Sequence, residues 1–281
     1  MDGILKSNPW IEIEKTKTTV VSDMLTEHIH PHAELYFLLS GERRYFVGSE
    51  IYDVAPGNLV IIPPNAIHKT VSLRQKGYDR FVLYFSEECI TALQTMLGRE
   101  AIEGFLLLGC VSFSSTDAHA VRALFEKAFA EQAKNDAFGH ASLYSLLMQI
   151  LVFTLRSGKK KTFAASEGAD RISLVCAHIN ENFQEPFTLK DAARMACMEK
   201  TYFSKRFKAL TGFNFSQYLS QVRLHAAQRL LLTTPLTVSE IASLSGFSGS
   251  NYFKDAFSKA FGVCPSEYRR RAGTLPSSPN G

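Results

Sequence analysis

At 281 residues the chain is long enough for two domains, and 46% apolar with 21% charged residues is the composition of an ordinary globular protein. No apolar run approaches the roughly 20 residues of a membrane span, and the N-terminus lacks the features of a signal peptide. Five widely spaced cysteines form no CxxC pair, which excludes zinc-finger and disulfide scaffolds and favours a reducing, cytoplasmic location.

The net charge of +4 is unevenly distributed along the chain. Residues 171–271 carry 14 Lys and Arg against 7 Asp and Glu, whereas residues 1–170 carry 17 against 20. A basic part joined to a mildly acidic part indicates a polyanion-binding domain attached to a second domain. If the charge is considered alone, an ordinary solvated helical surface is the alternative explanation.

Short β segments separated by turn residues occupy about residues 10–85. Glu34 to Leu39 forms a strand-like run that ends at Ser40-Gly41, and Leu59 to Ile62 forms another that Pro63-Pro64 stops. Phe81 to Phe85 is a further strand-like run. Short strands at roughly ten-residue spacing predict a small antiparallel barrel or sandwich.

Two helices are predicted after the barrel, one from Ser115 to about Ala133 and one from Leu143 to about Leu155. The second is apolar over most of its surface, so it must be buried against the barrel or against another subunit. We favour a dimer contact made by these two helices, which completes a first domain over residues 1–158.

Two segments of the chain show no periodicity. Residues 159–170 contain a lysine run and are predicted to be the linker between domains. Residues 272–281 are rich in Pro, Ser and Gly and are predicted to be a disordered tail.

Residues 171–271 contain the same pattern twice. Four residues of the first copy recur fifty residues later in the same order: Tyr202, Phe203, Phe207 and Gly212 match Tyr252, Phe253, Phe257 and Gly262. Upstream, the capping-box pairs Thr188/Asp191 and Thr237/Glu240 predict two helix N-termini. Each copy therefore predicts a helix-turn-helix.

A helix over Asn214 to about Leu232 joins the two copies, and its roughly 19 residues correspond to about 28 Å. The second helix of such a motif enters the major groove, and about 28 Å nearly matches one DNA turn of about 34 Å. Double-stranded DNA is therefore the predicted partner.

The repeat closely resembles the AraC/XylS family of transcription regulators over the last hundred residues. The matching elements run in order through Tyr202-Phe203-Ser204-Lys205-Arg206-Phe207-Lys208, Arg223-Leu224, Ala227, Leu230-Leu231, Ile241-Ala242, Gly246-Phe247, Tyr252-Phe253, Phe257, Gly262, Pro265 and Tyr268-Arg269. Several spaced elements in one order are far more specific than a single helix-turn-helix match.

The resemblance implies a set of residues that contact DNA. Base contacts are expected from Thr201, Ser204, Lys205, Ser250, Asn251 and Lys254. Asn can pair with adenine and Lys can reach guanine, whereas Ser and Thr read permissively. Phosphate or structural contacts are expected from Lys200, Lys208, Arg223, Lys259 and Arg269.

The two copies also depart from one another. Asp255 stands where the family commonly has a basic or polar residue and would repel phosphate, so we expect the first copy to contribute more of the DNA contact. The aromatic side chains at helical spacing are expected to be core: Tyr202, Phe203, Phe207, Phe253 and Phe257.

The front half resembles the two cupin motifs through His28-x-His30-x-x-x-Glu34 and through Gly57 to His68, with Asn65 where the second motif usually has Gly. In metal-binding cupins these positions supply three His and one Glu to a divalent ion, and the donors His28, His30, Glu34 and His68 would suit Fe, Mn, Ni or Zn. Histidines satisfied by hydrogen bonds at the barrel mouth are a second interpretation.

We favour a third interpretation, a small-molecule effector pocket with no cofactor. In AraC-like regulators a cupin-like sensor barrel binds a small molecule, often a sugar. Its expected lining here is His28, His30, Glu34, Tyr36 and His68. A polyhydroxylated ligand would also suit the aromatic faces of Tyr36, Tyr45, Phe46 and Tyr84.

The predicted fold is α+β and multidomain: an N-terminal cupin-like barrel with two following helices, then an all-α domain with two helix-turn-helix motifs joined by a linker helix. The predicted function is a dimeric, cytoplasmic, non-enzymatic DNA-binding transcription regulator controlled by an effector, with RNA polymerase as a partner if it activates. The alternatives are a cupin metalloenzyme with a DNA-binding tail and a regulator whose barrel only dimerises.

Overall fold

The computed structural model describes residues 10–19, 30–73, 77–134, 136, 138–161 and 168–273. The chain divides into two compact units, Met1–Ala165 and Ser166–Gly281. All described strands lie in the first unit, and the described part of the second is helical. Within these residues no helix combines the length and apolar character needed to cross a membrane.

The first unit is built on two antiparallel sheets. Its strands are β1 (Ile11–Thr18), β2 (Ala33–Ser40), β3 (Arg43–Val47), β4 (Glu50–Val54), β5 (Leu59–Ile62), β6 (His68–Ser72), β7 (Tyr78–Phe85), β8 (Cys110–Ser112) and β9 (Lys159–Lys160). The larger sheet has the order β1-β7-β2-β5-β8-β9, and the smaller has β4-β3-β6. The first seven strands fall in the segment predicted to be strand-rich, whereas β8 and β9 were not predicted.

Strand β2 separates two cores, because successive side chains of a strand point to opposite faces. Leu35 and Phe37 belong to the core that the larger sheet forms with the helices. Tyr36 and Leu38 belong to a second core, which both sheets share. The two sheets therefore face one another across an interior, as expected of a cupin-like barrel.

Four helices complete the first unit: α1 (Glu87–Leu97), α2 (Arg99–Leu106), α3 (Ser115–Gln132) and α4 (Gly139–Ser157). The helices α1 and α2 were not predicted. Leu147, Ile150 and Leu151 of α4 are buried in the core that covers the larger sheet. One face of the apolar helix is thus explained by contact with its own domain.

The predicted linker begins too early. Lys159 and Lys160 pair with β8, and Lys161 Nζ donates to Asp53 O at 2.6 Å and to Asn58 Oδ1 at 3.1 Å. These contacts hold the lysine run against the first unit. The next helix begins at residue 169, so residues 162–168 are left between the two, and residues 162–167 of these lie outside the described residues.

The second unit contains two helix-turn-helix motifs. Its helices are α5 (Ala169–Glu181), α6 (Leu189–Met195), α7 (Lys200–Thr211), α8 (Phe215–Thr233), α9 (Val238–Leu244), α10 (Ser250–Phe261) and α11 (Pro265–Gly273). Both predicted capping boxes form, at Thr188 with Asp191 and at Thr237 with Glu240. The helix that joins the motifs has 19 residues, as predicted.

The helices α7 and α10 end in the same way. Gly212 and Gly262 follow them with φ of +79° and +76°, the left-handed conformation that favours glycine and terminates a helix. At the end of the chain, α11 continues to Gly273, two residues into the predicted tail. Residues 274–281 lie outside the described residues.

Candidate functional sites

The interior between the two sheets is lined by polar side chains as well as apolar ones. Tyr36 of β2, Tyr45 of β3 and Val82 of β7 lie in the core that the two sheets share. Because the side chains of a strand alternate between its two faces, the residues two positions away on these strands point into the same interior, as do alternate residues of β6. The polar members of this lining, which we call the interior cluster, are Glu34, Tyr36, Arg43, Tyr45, His68, Thr70, Arg80 and Tyr84.

Glu34 is the buried centre of one end of this cluster. His30 Nε2 lies 3.1 Å and His68 Nε2 3.6 Å from Glu34 Oε2. Burial acts to raise the pKa of Glu34, yet the hydrogen bond from His30 and the neighbouring His68 outweigh it and hold that pKa below its usual value. Three predicted site residues therefore meet. His28, predicted beside them, lies outside the described residues.

Both imidazoles have a backbone acceptor beside Nδ1. His30 Nδ1 lies 2.9 Å from the carbonyl oxygen of His32, and His68 Nδ1 lies 2.9 Å from that of Ala66. A neutral imidazole has one N–H, so His30 can donate either to that carbonyl or to Glu34. His68 Nε2, at 3.6 Å from Glu34 Oε2, lies beyond hydrogen-bond distance of the carboxylate.

A divalent ion would fit this group chemically. The ligand atoms of His30, Glu34 and His68 all lie within 4.8 Å of one another, and two imidazoles with one carboxylate suit a transition metal. Metal-ligating histidines commonly donate their other ring nitrogen to a backbone carbonyl, as both rings can here.

His32, which the sequence reasoning did not select, completes an aromatic group beside Glu34. Its ring stacks on His30 with centroids 3.8 Å apart, and Trp10 and Tyr84 meet it edge-on at 5.0 and 5.3 Å. Burial and the neighbouring His30 lower the pKa of His32 to about 4, so this ring is neutral at physiological pH.

Within the described residues, the hydroxyls of Tyr36 and Tyr45 and the Nε of Arg80 are buried atoms of the interior cluster that have no hydrogen-bond partner. The two rings have centroids 4.7 Å apart, and the Arg80 guanidinium carbon lies 5.2 Å from the Tyr36 ring centroid. Burial raises the pKa of both tyrosines, so the hydroxyls are neutral and able to donate. They form one contiguous set of unused donors.

The predicted aromatic lining needs one correction. Tyr36 and Tyr45 belong to the shared core and Tyr84 packs against it. Phe46 follows Tyr45 on β3 and therefore points to the opposite face. It cannot line the same site.

In the second unit, the recognition helices α7 and α10 present most of the predicted base contacts to solvent. Thr201, Ser204 and Lys205 are exposed on α7, and Asn251 and Lys254 are exposed on α10. Ser250 differs, because its hydroxyl oxygen is buried without a hydrogen-bond partner. Its position argues against a direct base contact.

The predicted phosphate contacts fall into two groups. Lys200, Lys208 and Lys259 are exposed. The guanidinium of Arg223 donates to Phe183 O and Glu185 O at 2.8 and 2.9 Å. That of Arg269 donates to Leu231 O and Leu236 O at 3.1 and 2.6 Å. The two arginines are thus engaged with backbone carbonyls, which favours the structural role over a phosphate contact.

The aromatic residues of the repeat divide in the same way in both copies. Phe203 and Phe207, like Phe253 and Phe257, are fully buried, as expected. Tyr202 was expected to be core and is 54% exposed, and its counterpart Tyr252 is 62% exposed. Each tyrosine precedes a buried phenylalanine and lies on the exposed face of its helix.

The structure also shows a carboxylate at the start of the first recognition helix. Glu199 caps α7 by accepting hydrogen bonds from the backbone nitrogens of Thr201 and Tyr202, whereas Gly249 begins α10 without a side-chain cap. Those hydrogen bonds lower the pKa of Glu199. Glu199 could have been identified as a cap from the sequence, because acidic residues are favoured at helix N-termini.

Comparisons with known proteins match both units. A family model described as an AraC-like ligand binding domain matches residues 22–151, and a helix-turn-helix domain model matches residues 192–271. The HTH-type transcriptional activator RhaR of Cronobacter sakazakii is 27% identical over 92% of this chain and 94% of that protein. RhaR of Mannheimia succiniciproducens is 26% identical over 87% of each chain.

Among solved structures, the DNA-binding domain of AdpA in complex with a target DNA is 33% identical, covers 37% of this chain and 96% of that one, and superposes with a TM-score of 0.36. The two family models fall one on each structural unit and together cover most of the chain. The chain belongs to the AraC family of transcriptional regulators, with a ligand-binding domain followed by a helix-turn-helix DNA-binding domain.

Proposed function

We propose that the protein is a cytoplasmic regulator, and not an enzyme, whose DNA binding is controlled by a small polyhydroxylated effector held between the two sheets. The observation that carries the effector part is the set of unused buried donors on Tyr36, Tyr45 and Arg80. A buried polar group without a partner costs about 1–3 kcal/mol, and a ligand rich in hydroxyls would satisfy several at once. A sugar has this chemistry.

The DNA-binding part of the proposal is supported by exposed side chains on both recognition helices and by the positive charge of residues 171–271. Phosphate contacts make affinity fall steeply with salt. Binding of the purified chain to duplex fragments from upstream of its own and adjacent operons should therefore weaken strongly between about 50 and 200 mM salt. Absence of any salt-dependent binding to these fragments would overturn the proposal.

Lys205→Ala should weaken operator binding more than Lys254→Ala. We expect about a tenfold loss for Lys205→Ala, because a lysine that reads a base edge contributes about 1–3 kcal/mol of discrimination. Lys254 is followed by the exposed Asp255, whose charge opposes the approach of phosphate. Titration of labelled duplex at fixed salt measures both losses.

Ser250→Ala is the matched control for these variants, since its hydroxyl is buried and its loss should leave DNA affinity unchanged. The assignment fails if Lys205→Ala leaves the affinity intact while Lys254→Ala abolishes binding.

Control by an effector requires coupling between the two sites. The ligand must bind one arrangement of the protein more tightly than another, and it can shift the equilibrium only by that difference. A regulator whose first domain only dimerises would lack a ligand. Melting temperatures measured against a panel of sugars separate the two cases, because a ligand that binds only the folded state raises the melting temperature.

Tyr45→Phe should leave the free energy of unfolding of the ligand-free protein unchanged or raise it by up to about 1–3 kcal/mol. It removes a buried hydroxyl that has no partner, so no hydrogen bond is lost. Tyr52→Phe is the control, because the Tyr52 hydroxyl donates to Glu50. Its removal should lower the free energy of unfolding by about 1 kcal/mol.

Urea denaturation, analysed with one common dependence of the free energy on urea concentration, measures the free energy of unfolding of both variants. If Tyr45→Phe is instead as destabilising as Tyr52→Phe, then the Tyr45 hydroxyl is bonded within the protein and is not available to a ligand.

We also propose that the regulator is a homodimer through α3 and α4, and that RNA polymerase is its partner if it activates. Large apolar side chains outside the core support the dimer: Phe129 and Leu155 are each 40% exposed and Phe138 is 76% exposed. Exposed large apolar side chains on helices are a feature of association surfaces.

Leu155→Glu should therefore shift the sedimenting species from dimer to monomer, because it places a charge in the apolar contact. Leu174→Glu, on the exposed surface of α5, should leave the dimer intact. Sedimentation velocity at several concentrations distinguishes them. A monomeric unmodified protein, or equal behaviour of the two variants, excludes this interface.

The second candidate function is a cupin metalloenzyme with a DNA-binding tail, and the cluster of His30, Glu34 and His68 favours it specifically. Elemental analysis of the purified chain decides the matter. Stoichiometric transition metal that is lost in His30→Ala and kept in His119→Ala, an exposed histidine on α3, would support this candidate. Metal below stoichiometry in the unmodified protein would count against it.

A further inference from the structure

The charge of the interior cluster is unbalanced at the end away from Glu34. Arg43 and Arg80 both reach this interior. Arg43 is 2% exposed and donates from Nε to Thr70 Oγ1 at 3.2 Å, while its guanidinium lies over the Tyr78 ring. The Nε of Arg80 is buried and, within the described part of the chain, has no acceptor.

Glu34 acts on the charge of Arg80 only from a distance, and among the described residues no carboxylate forms an ion pair with Arg80. In the pairing of β2 with β7, Glu34 lies opposite Tyr84, whereas Arg80 lies opposite Leu38. Four residues of strand separate these pairs by about 13 Å. Asp79 precedes Arg80 and so points to the opposite face of the sheet. Glu34 is in addition engaged by His30.

The partners that Arg80 does have are aromatic rings and unused hydroxyls. Its guanidinium carbon lies 5.2 Å from the Tyr36 ring centroid and 5.7 Å from that of Tyr78. The Tyr45 ring follows Tyr36 at 4.7 Å. A cation and two hydroxyl donors therefore line one stretch of the interior, and all three need an acceptor.

We propose that the effector is a sugar acid, a small polyol bearing a carboxylate, whose carboxylate pairs with Arg80 while its oxygens accept from Tyr36 and Tyr45. This inference rests on the proposed function, since it assigns the chemical class of the same effector. A guanidinium matches a carboxylate in a bidentate way, and such charge-assisted hydrogen bonds are roughly twice as strong as neutral ones. A neutral sugar would leave the cation unpaired.

The experiment compares sugar acids with their neutral counterparts on the full chain. The probes are D-glucuronate with D-glucose, D-galacturonate with D-galactose, and D-gluconate with D-sorbitol, each at about 10 mM, roughly ten times a millimolar Kd. The readouts are the melting temperature and the fluorescence of Trp10. This is the single tryptophan of the chain, and its ring lies 5.0 Å from that of His32 beside Glu34.

We expect at least one acid to raise the melting temperature by several degrees and to change Trp10 fluorescence saturably, and its neutral counterpart to do neither. Arg80→Gln should weaken that binding at least tenfold. Arg44→Gln is the matched control, because Arg44 follows Arg43 on β3, points to the other face and pairs with Asp53 at 2.6 Å. It should leave ligand binding unchanged.

A ligand-free measurement tests whether Arg80 is structural. Arg80→Met removes a half-buried cation and keeps an apolar side chain, so the melting temperature of the free protein should be unchanged or higher. A clear fall would mean that Arg80 is held by bonds within the protein, and the inference would be overturned.

The ligand panel can fail in two distinguishable ways. Binding of neutral sugars that Arg80→Gln does not weaken overturns the anionic class and leaves the proposed effector function standing. Absence of binding by every acid and every neutral sugar overturns the inference and counts against the polyhydroxylated effector as well, while the DNA-binding assay remains a separate test.

Discussion

The first domain depends on the register between β2 and β7. One face of these strands is covered by the helices, through residues such as Phe37 packed against Phe125, and its buried side chains form an apolar core. The opposite face of the same strands points into the interior between the sheets, and Glu34, Tyr36 and Arg80 lie on it. A slip of one residue would exchange the two faces and bury these polar groups among aliphatic side chains. The stability of the domain and the chemistry of its site therefore rest on the same pairing.

In the second domain, one arginine and one glycine hold the second helix-turn-helix motif against the segment that follows α5. Arg223 of α8 donates to Phe183 O at the end of α5. Gly246, in the turn of the second motif, has φ of +78°, and a Cβ there would lie 2.6 Å from Phe183 O and 2.9 Å from Arg223 Nε. The second turn therefore packs closely on the carbonyl that Arg223 binds. A side chain at Gly246 would displace this contact, so the glycine is what allows the Arg223 guanidinium to bind a backbone carbonyl here.

Local patterns predicted the repeat and both capping boxes, and the resemblance to the cupin motifs predicted that His30, Glu34 and His68 meet. Arg80 was missed because the strand was predicted to begin only at Phe81, which left the polar start of β7 outside it. The strand alternation that makes Arg80 face Tyr36 becomes visible only with the register known. The internal roles of Arg223 and Arg269 depend on carbonyl oxygens more than thirty residues away, which no spacing rule specifies. The burial of the Ser250 hydroxyl is a similar case, since it depends on packing that the position of this residue in the recognition helix does not reveal.

The two recognition helices have the same backbone arrangement but differ in how their carboxylates are placed. Each carries one carboxylate near its DNA-facing surface, Glu199 on the first and Asp255 on the second. Glu199 accepts hydrogen bonds from the backbone nitrogens of Thr201 and Tyr202, so its charge is compensated by the N-terminus that it caps. Asp255 is exposed within α10, beyond the reach of that helix end. A single negative charge should therefore oppose phosphate weakly in the first copy and more strongly in the second, which supports the proposal that the first copy contributes more of the DNA contact.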